Sequence, residues 1–157
     1  MASLDPAALS PAMLAPMLRV WAQGLYGVEA AVELLIAHRH WLSRADFRVR
    51  CISASDRGRE GEGPYGPIAT IDWAAAADFQ GPATPGDRSI LWLACSLADG
   101  PELPVALGHE ISTLEAEDVI LVLNAIAHTA GWHDFGISTR VTGVFEADQA
   151  GGGDRLS

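Results

Sequence analysis

The segment from residue 112 to residue 131, STLEAEDVILVLNAIAHTAG, carries helix signals at both ends. Ser112 and Glu115 have the spacing of a capping box, and Gly131 can take the left-handed conformation that ends a helix. The middle of the segment is apolar almost all the way round, through Val119, Ile120, Leu121, Val122, Leu123, Ile126 and Ala127. Because that surface is too wide for a helix with one solvent-exposed face, the sequence predicts a helix buried at the centre of the fold.

Length and composition favour one globular domain. Of 157 residues, 49% are hydrophobic and 19% are charged, which is enough apolar surface to build a core without disulfides. We expect a single domain over residues 1–148, with a mobile loop at 54–67 that is rich in glycine, proline and charge, and a disordered tail at 149–157. Cys51 and Cys95 stand in apolar sequence, so we expect two buried thiols.

Shorter patterns predict further helices before the central segment. Ser10, followed by proline, is an N-cap for a helix that runs to Gly24, and residues 28–42 repeat apolar positions at helical spacing. Asp72 and Asp87 are the N-caps of two more helices. We therefore expect five to six helices packed around the central one.

Residues 43–52 fit two structures. Their start resembles a helix N-terminus, whereas their apolar residues alternate with arginines as in a half-buried strand. Phe47 and Cys51 are also one helical turn apart, so we favour the helix and predict a mainly α fold. The alternative is an α+β fold with a small two- or three-stranded sheet, including strands at 47–53 and 68–71.

The charges divide the chain into two parts. The net charge is −10, which opposes nucleic-acid binding because contacts to phosphate need a basic surface. Six arginines against two aspartates nevertheless give residues 39–59 a local charge of +4. Either this segment meets an acidic partner, with Arg44, Arg48 and Arg50 as contacts, or it folds against the protein's own carboxylates.

Five histidines raise the question of a metal or ligand site. His38 and His40 are two residues apart, which on a helix points them about 200° apart rather than at one ion, unless the helix has already ended. His128 can stabilise the carbonyl end of the central helix, so we expect no metal and no cofactor. The alternative ligand site at that helix end consists of His128, Trp132, His133 and Asp134, completed by His109 and Glu110.

The sequence contains no coherent set of catalytic residues. There is no GxSxG nucleophile motif, and the acidic residues at helix starts have capping explanations. We expect a non-enzymatic protein–protein interaction or regulatory module that forms a homo-oligomer. Met13, Met17 and Trp21 are the candidates for contact between copies, because methionine adapts to irregular partner surfaces. The alternative is a small-molecule or metal-binding protein, or an enzyme, with its site at the C-terminal end of the central helix.

The chain resembles a set of uncharacterised actinobacterial proteins. The resemblance lies within residues 28–131, in the segments IDWAAAADF, SILWLACSLADG, LPVALGHEISTL and VILVLNAIAHTAG. These motifs are hydrophobic, so the resemblance implies a helical fold and carries over no activity. No apolar run approaches the ~20 residues that cross a bilayer, and the N-terminus has no signal-peptide pattern. We therefore expect a cytoplasmic bacterial protein without membrane association.

Overall fold

A computed structural model describes residues 3–56, 66–99 and 102–132, which form eight helices and three short strands. In chain order these are β1 (Ser3–Leu4), α1 (Pro11–Ala22), α2 (Tyr26–His38), α3 (His40–Ser43), α4 (Ala45–Cys51), β2 (Ile52–Ser55), β3 (Ile68–Ile71), α5 (Trp73–Ala77), α6 (Pro85–Asp99), α7 (Leu107–Ile111) and α8 (Ala116–Thr129). The predicted mainly helical class is confirmed, and the small sheet of the α+β alternative is present beside the helices.

Helix α2 occupies the centre of the described fold. It packs against α1, α6 and α8, and its buried residues are Ala30, Ala31, Val32, Leu34 and Leu35. The small side chains let neighbouring helices approach closely. At Gly27 a Cβ atom would lie only 2.4 Å from the carbonyl oxygen of Leu97, so the crossing of α2 and α6 requires glycine at this position.

Helix α8 is not the buried central helix that the sequence predicts. Only Val122 and Ala125 are buried in it, whereas Ile120, Leu123 and Ile126 expose 41%, 37% and 40% of their surface. The prediction is wrong because hydrophobic width alone does not show how many neighbours surround a helix. Here α8 lies at the edge of the bundle and packs mainly against α2.

The N-terminus of α8 also differs from the prediction. Ser112 follows the separate short helix α7, and its hydroxyl donates to the carbonyl of His109 at 2.7 Å. Glu115 is the N-cap of α8 and makes no side-chain capping bond, so the predicted capping box is absent. At the other end Gly131 has a φ of 74°, which confirms the predicted left-handed termination.

Two other predicted helix starts are confirmed and one is displaced. The Ser10 hydroxyl accepts a bond from the Met13 N–H at 3.3 Å, and an Asp72 carboxylate oxygen accepts from the Ala75 N–H at 2.9 Å. Asp87 lies inside the first turn of α6 rather than at its cap. Its carboxylate accepts from the N–H of Thr84 while the Thr84 hydroxyl accepts from the N–H of Asp87, each at 3.1 Å.

The sheet is antiparallel in the order β1–β2–β3. Ile52 pairs with Ile71, and Leu4 pairs with Ala54. The favoured helix at residues 43–52 is confirmed, but the strand begins after it, at Ile52, so the predicted strand at 47–53 is mostly helical. The strand at 68–71 is confirmed. Residues 57–65 of the predicted loop and the predicted tail at 149–157 lie outside the described residues.

Candidate functional site

An apolar groove runs along the outer face of α1. It encloses about 540 Å³, and its lining includes Leu4, Leu9, Met13, Pro16, Met17 and Val20. Met13 exposes 54% of its surface, whereas Met17 is buried in the floor. Two of the three residues predicted to contact a second copy therefore lie in one continuous apolar surface.

Two charged side chains near this groove, among the described residues, make contacts within the chain. Arg19 is the only charged residue of α1, and it donates to both carboxylate oxygens of Glu33, at 2.5 and 2.9 Å. On the preceding segment, the Asp5 carboxylate accepts from the N–H of Ala7 at 2.9 Å. Every residue that lines the groove in the described structure is uncharged, so the groove itself is a neutral surface on a strongly acidic protein.

Trp21 lies apart from the groove. Its ring stacks on Trp73, with centroids 6.4 Å apart and planes inclined by 25°. It is half-buried and packs against the hydrophobic core. The structure thus gives Trp21 a packing role between α1 and α5 and does not bring it together with Met13 and Met17.

The three predicted arginine contacts have different surroundings. Arg44 donates to both carboxylate oxygens of Asp46, at 3.1 and 2.5 Å, and its guanidinium lies 5.9 Å from the ring of Trp41. The bonds from Arg44 hold the pKa of Asp46 below its ordinary value. Arg50 is exposed on α4.

Arg48 is buried, which corrects its assignment as a partner contact. Its guanidinium donates to four backbone carbonyls, those of Pro6, Ala7, Leu42 and Ser43, at 2.8–3.1 Å. Four of the five N–H donors of this side chain are thereby used inside the protein. Arg48 ties the segment before α1 to α3, so it is a structural residue.

The candidate ligand site at the end of α8 is described only in part. His128 Nε2 lies 2.7 Å from Glu29 Oε2, and the ring of Tyr26 meets the imidazole edge-on at a centroid distance of 6.1 Å. A cavity of about 280 Å³ adjoins this pair between α1 and α2. Trp132 is exposed, while His133 and Asp134 lie outside the described residues. The structure therefore brings His128 to Glu29, and the four-residue site stays a prediction.

A histidine–aspartate cluster lies at the other end of α2. His38 Nε2 is 3.3 Å from Asp87 Oδ1 and 3.9 Å from Asp118 Oδ1, and His40 Nδ1 is 3.7 Å from the same Asp87 oxygen. The two histidines meet because α2 ends at His38 and Arg39 takes a φ of 67°, so the helical geometry that separates them no longer applies.

Burial and hydrogen bonding shift the pKa values of two groups in this cluster. Burial lowers the pKa of His38, and Asp118 and Asp87 offset only part of that effect. Burial also raises the pKa of Asp87, but hydrogen bonds from Thr84 and the neighbouring imidazoles outweigh it, so the net pKa is below the ordinary value. Within the described ranges, no group of three or more His, Cys, Asp or Glu side chains is arranged to hold a metal ion.

A second cavity, of about 370 Å³, lies between α6, α7 and the segment 103–106. Its lining includes Asp78, Trp92, Cys95 and Glu110. Burial raises the pKa of Cys95 to about 12, so this side chain is a neutral thiol in the apolar wall. The sequence predicts Glu110 only as an additional residue of the histidine site, because no local pattern indicates that this carboxylate is buried.

None of the helices in the described parts of the chain is long and apolar enough to cross a membrane. Comparison of the chain with protein-family models, curated proteins and solved structures found no match.

Proposed function

We propose that this chain is a cytoplasmic bacterial interaction module, without enzymatic activity, that self-associates through the α1 groove. The observation that carries the proposal is the exposure of Met13 in a groove of about 540 Å³ whose floor includes Met17. A continuous exposed apolar surface of this kind is typical of protein interaction sites. Methionine suits such a surface because its unbranched side chain adapts to the partner.

The net charge restricts where two copies of this chain can meet. Two molecules that each carry a net charge of −10 repel one another over most of their surfaces. The described residues that line the α1 groove are uncharged, and Arg19 beside them is paired with Glu33, so contact there adds little charge repulsion. A two-fold axis perpendicular to α1 would place the two α1 helices antiparallel, so that their dipoles also attract.

The test is the molecular mass in solution of Met13→Glu, measured by size-exclusion chromatography with light scattering. We expect the natural chain to be a dimer or larger and Met13→Glu to be a monomer, because the new carboxylate would be buried without a partner. Val49→Glu is the matched control, since Val49 is another exposed apolar helical residue but lies on α4. It should leave assembly unchanged.

Two results would contradict the proposal. If the natural chain is a monomer at high concentration, self-association is excluded. An oligomer that survives Met13→Glu but dissociates in Ile120→Glu would keep self-association and move the interface to the exposed side of α8.

A further inference from the structure

The cavity between α6 and α7 contains a buried acidic side chain. Glu110, on α7, exposes 5% of its surface. Its Oε2 atom accepts a hydrogen bond from the hydroxyl of Ser89 on α6. The Thr113 hydroxyl lies 2.9 Å from Ser89 Oγ and 2.8 Å from the Glu110 carbonyl oxygen, which completes a small polar network at the wall of the cavity.

This carboxylate lacks a cation within the described part of the protein. No Arg or His side chain there forms an ion pair with Glu110, and the sequence has no lysine. A buried carboxylate without a positive partner is destabilising, because burial removes it from water and the hydroxyl bond from Ser89 replaces only part of that hydration. A ligand that brings a positive charge into the cavity would supply the missing partner.

The other lining groups indicate the class of that ligand. Asp78 is the second charged residue of the cavity, and it is also acidic. Trp92 is partly exposed, and its indole ring offers a large apolar face for the body of a ligand. Cys95 and the residues from Leu103 to Ala106 supply apolar or backbone surface. The volume of about 370 Å³ is in the range of small-molecule sites, which are roughly 300–1,000 Å³.

We propose that this cavity binds a small organic amine, with its ammonium group at Glu110 and its apolar body beside Trp92. The site is separate from the α1 groove, so the inference does not depend on self-association. It predicts an order of affinity in which a cationic ligand binds more tightly than a neutral ligand of the same shape, and an anionic ligand binds least.

The experiment uses benzylamine, benzyl alcohol and benzoate as probes of similar size and different charge. Each is titrated into the full chain at neutral pH by calorimetry, with backbone and indole NMR shifts to locate the contact. We expect saturable benzylamine binding, with shifts at Trp92 and residues 103–106. Benzyl alcohol should bind at least about tenfold more weakly, because it lacks the charge-assisted hydrogen bond, and benzoate should not bind.

Glu110→Gln should reduce benzylamine affinity at least about tenfold and remove the preference over benzyl alcohol. Glu117→Gln is the matched control, because it makes the same charge change at an exposed residue of α8 and should leave binding unchanged. If Glu110→Gln does not fold, Trp92→Leu serves instead, since Trp92 lies outside the Ser89–Glu110–Thr113 network and should still weaken binding. Absence of saturable binding, equal affinity for amine and alcohol, or an equal loss in Glu117→Gln would overturn the proposal.

Discussion

Buried polar side chains give this small protein its most specific contacts at the scale of single residues. Arg48 is stabilised by four backbone carbonyls, and Glu110 is stabilised by the Ser89 hydroxyl. His38 is stabilised less completely. Only 8% of its side chain is exposed, and its Nδ1 atom has no hydrogen-bond partner among the described residues. The sequence identifies each of these residues but not its burial, because the contacts come from other elements.

The lowered pKa of His38 predicts that stability falls with acidification. The unfolded chain takes up a proton at this residue near its ordinary pKa of 6.5, whereas folded His38 takes it up only at lower pH. The unfolded state therefore binds more protons just below pH 6.5, and the free energy of unfolding should decrease there as pH falls. Urea unfolding at a series of pH values should show this slope, and His38→Asn should reduce it.

Exposed His109 on α7 gives the control for this measurement. His109→Asn should retain the slope, and an unchanged slope in His38→Asn would contradict the assignment. Asp87 affects the stability of the fold in a lower pH range. Its folded pKa is below the ordinary 3.8, so its stabilising contribution is complete above that value and is lost as the pH falls through the folded pKa.

At the scale of elements, the order of helices along the chain does not reveal which helix the others enclose. Local sequence signals are sufficient to predict where α1 and α5 begin, because Ser10 and Asp72 make their capping bonds within a few residues. The break between α2 and α3 is different, since Arg39 adopts a positive φ that its residue type disfavours. Only the packing of the helices on either side of Arg39 explains why the chain turns there.

The edge position of α8 predicts unequal costs for two truncations. Val122→Ala should lower the free energy of unfolding by about 2 kcal/mol, because Val122 is buried against the core. Ile120→Ala removes a larger side chain but should cost less than about 1 kcal/mol, since Ile120 is exposed and alanine favours the helix. Denaturant unfolding of dilute protein measures both. A cost of roughly 2–5 kcal/mol for Ile120→Ala would instead indicate that α8 is enclosed on all sides.

At the scale of the whole molecule, the net charge is −10, but the charge is not spread evenly over the surface. The part of the predicted arginine-rich segment that the structure describes, residues 39–56, does not form one free basic face. Arg44 is bound to Asp46, as the second interpretation of that segment proposes, whereas Arg48 is buried against backbone carbonyls. The neutral α1 groove and the acidic cavity at Glu110 are consequently the surfaces on which the two proposals depend.

This charge distribution predicts how salt affects assembly. If the copies meet through the α1 groove, added salt should strengthen association, because it screens the repulsion between two acidic molecules and leaves apolar contact intact. The Debye length falls from about 30 Å at 0.01 M to about 8 Å at 0.15 M ionic strength, so the change should occur in this interval. Sedimentation velocity at several salt concentrations measures it. Weaker association at high salt would indicate ion pairs between copies, with exposed Arg50 as the first contact to test.

The sequence by itself determined the helical class and several helix boundaries, because these depend on periodicity and capping over a few positions. The tertiary structure decided that α2 is the central helix, that Arg48 is internal and that His38 meets His40. It also placed Glu110 in a cavity wall. Each of these facts depends on contacts between residues far apart in the chain, and burial is a property of those contacts rather than of any local pattern.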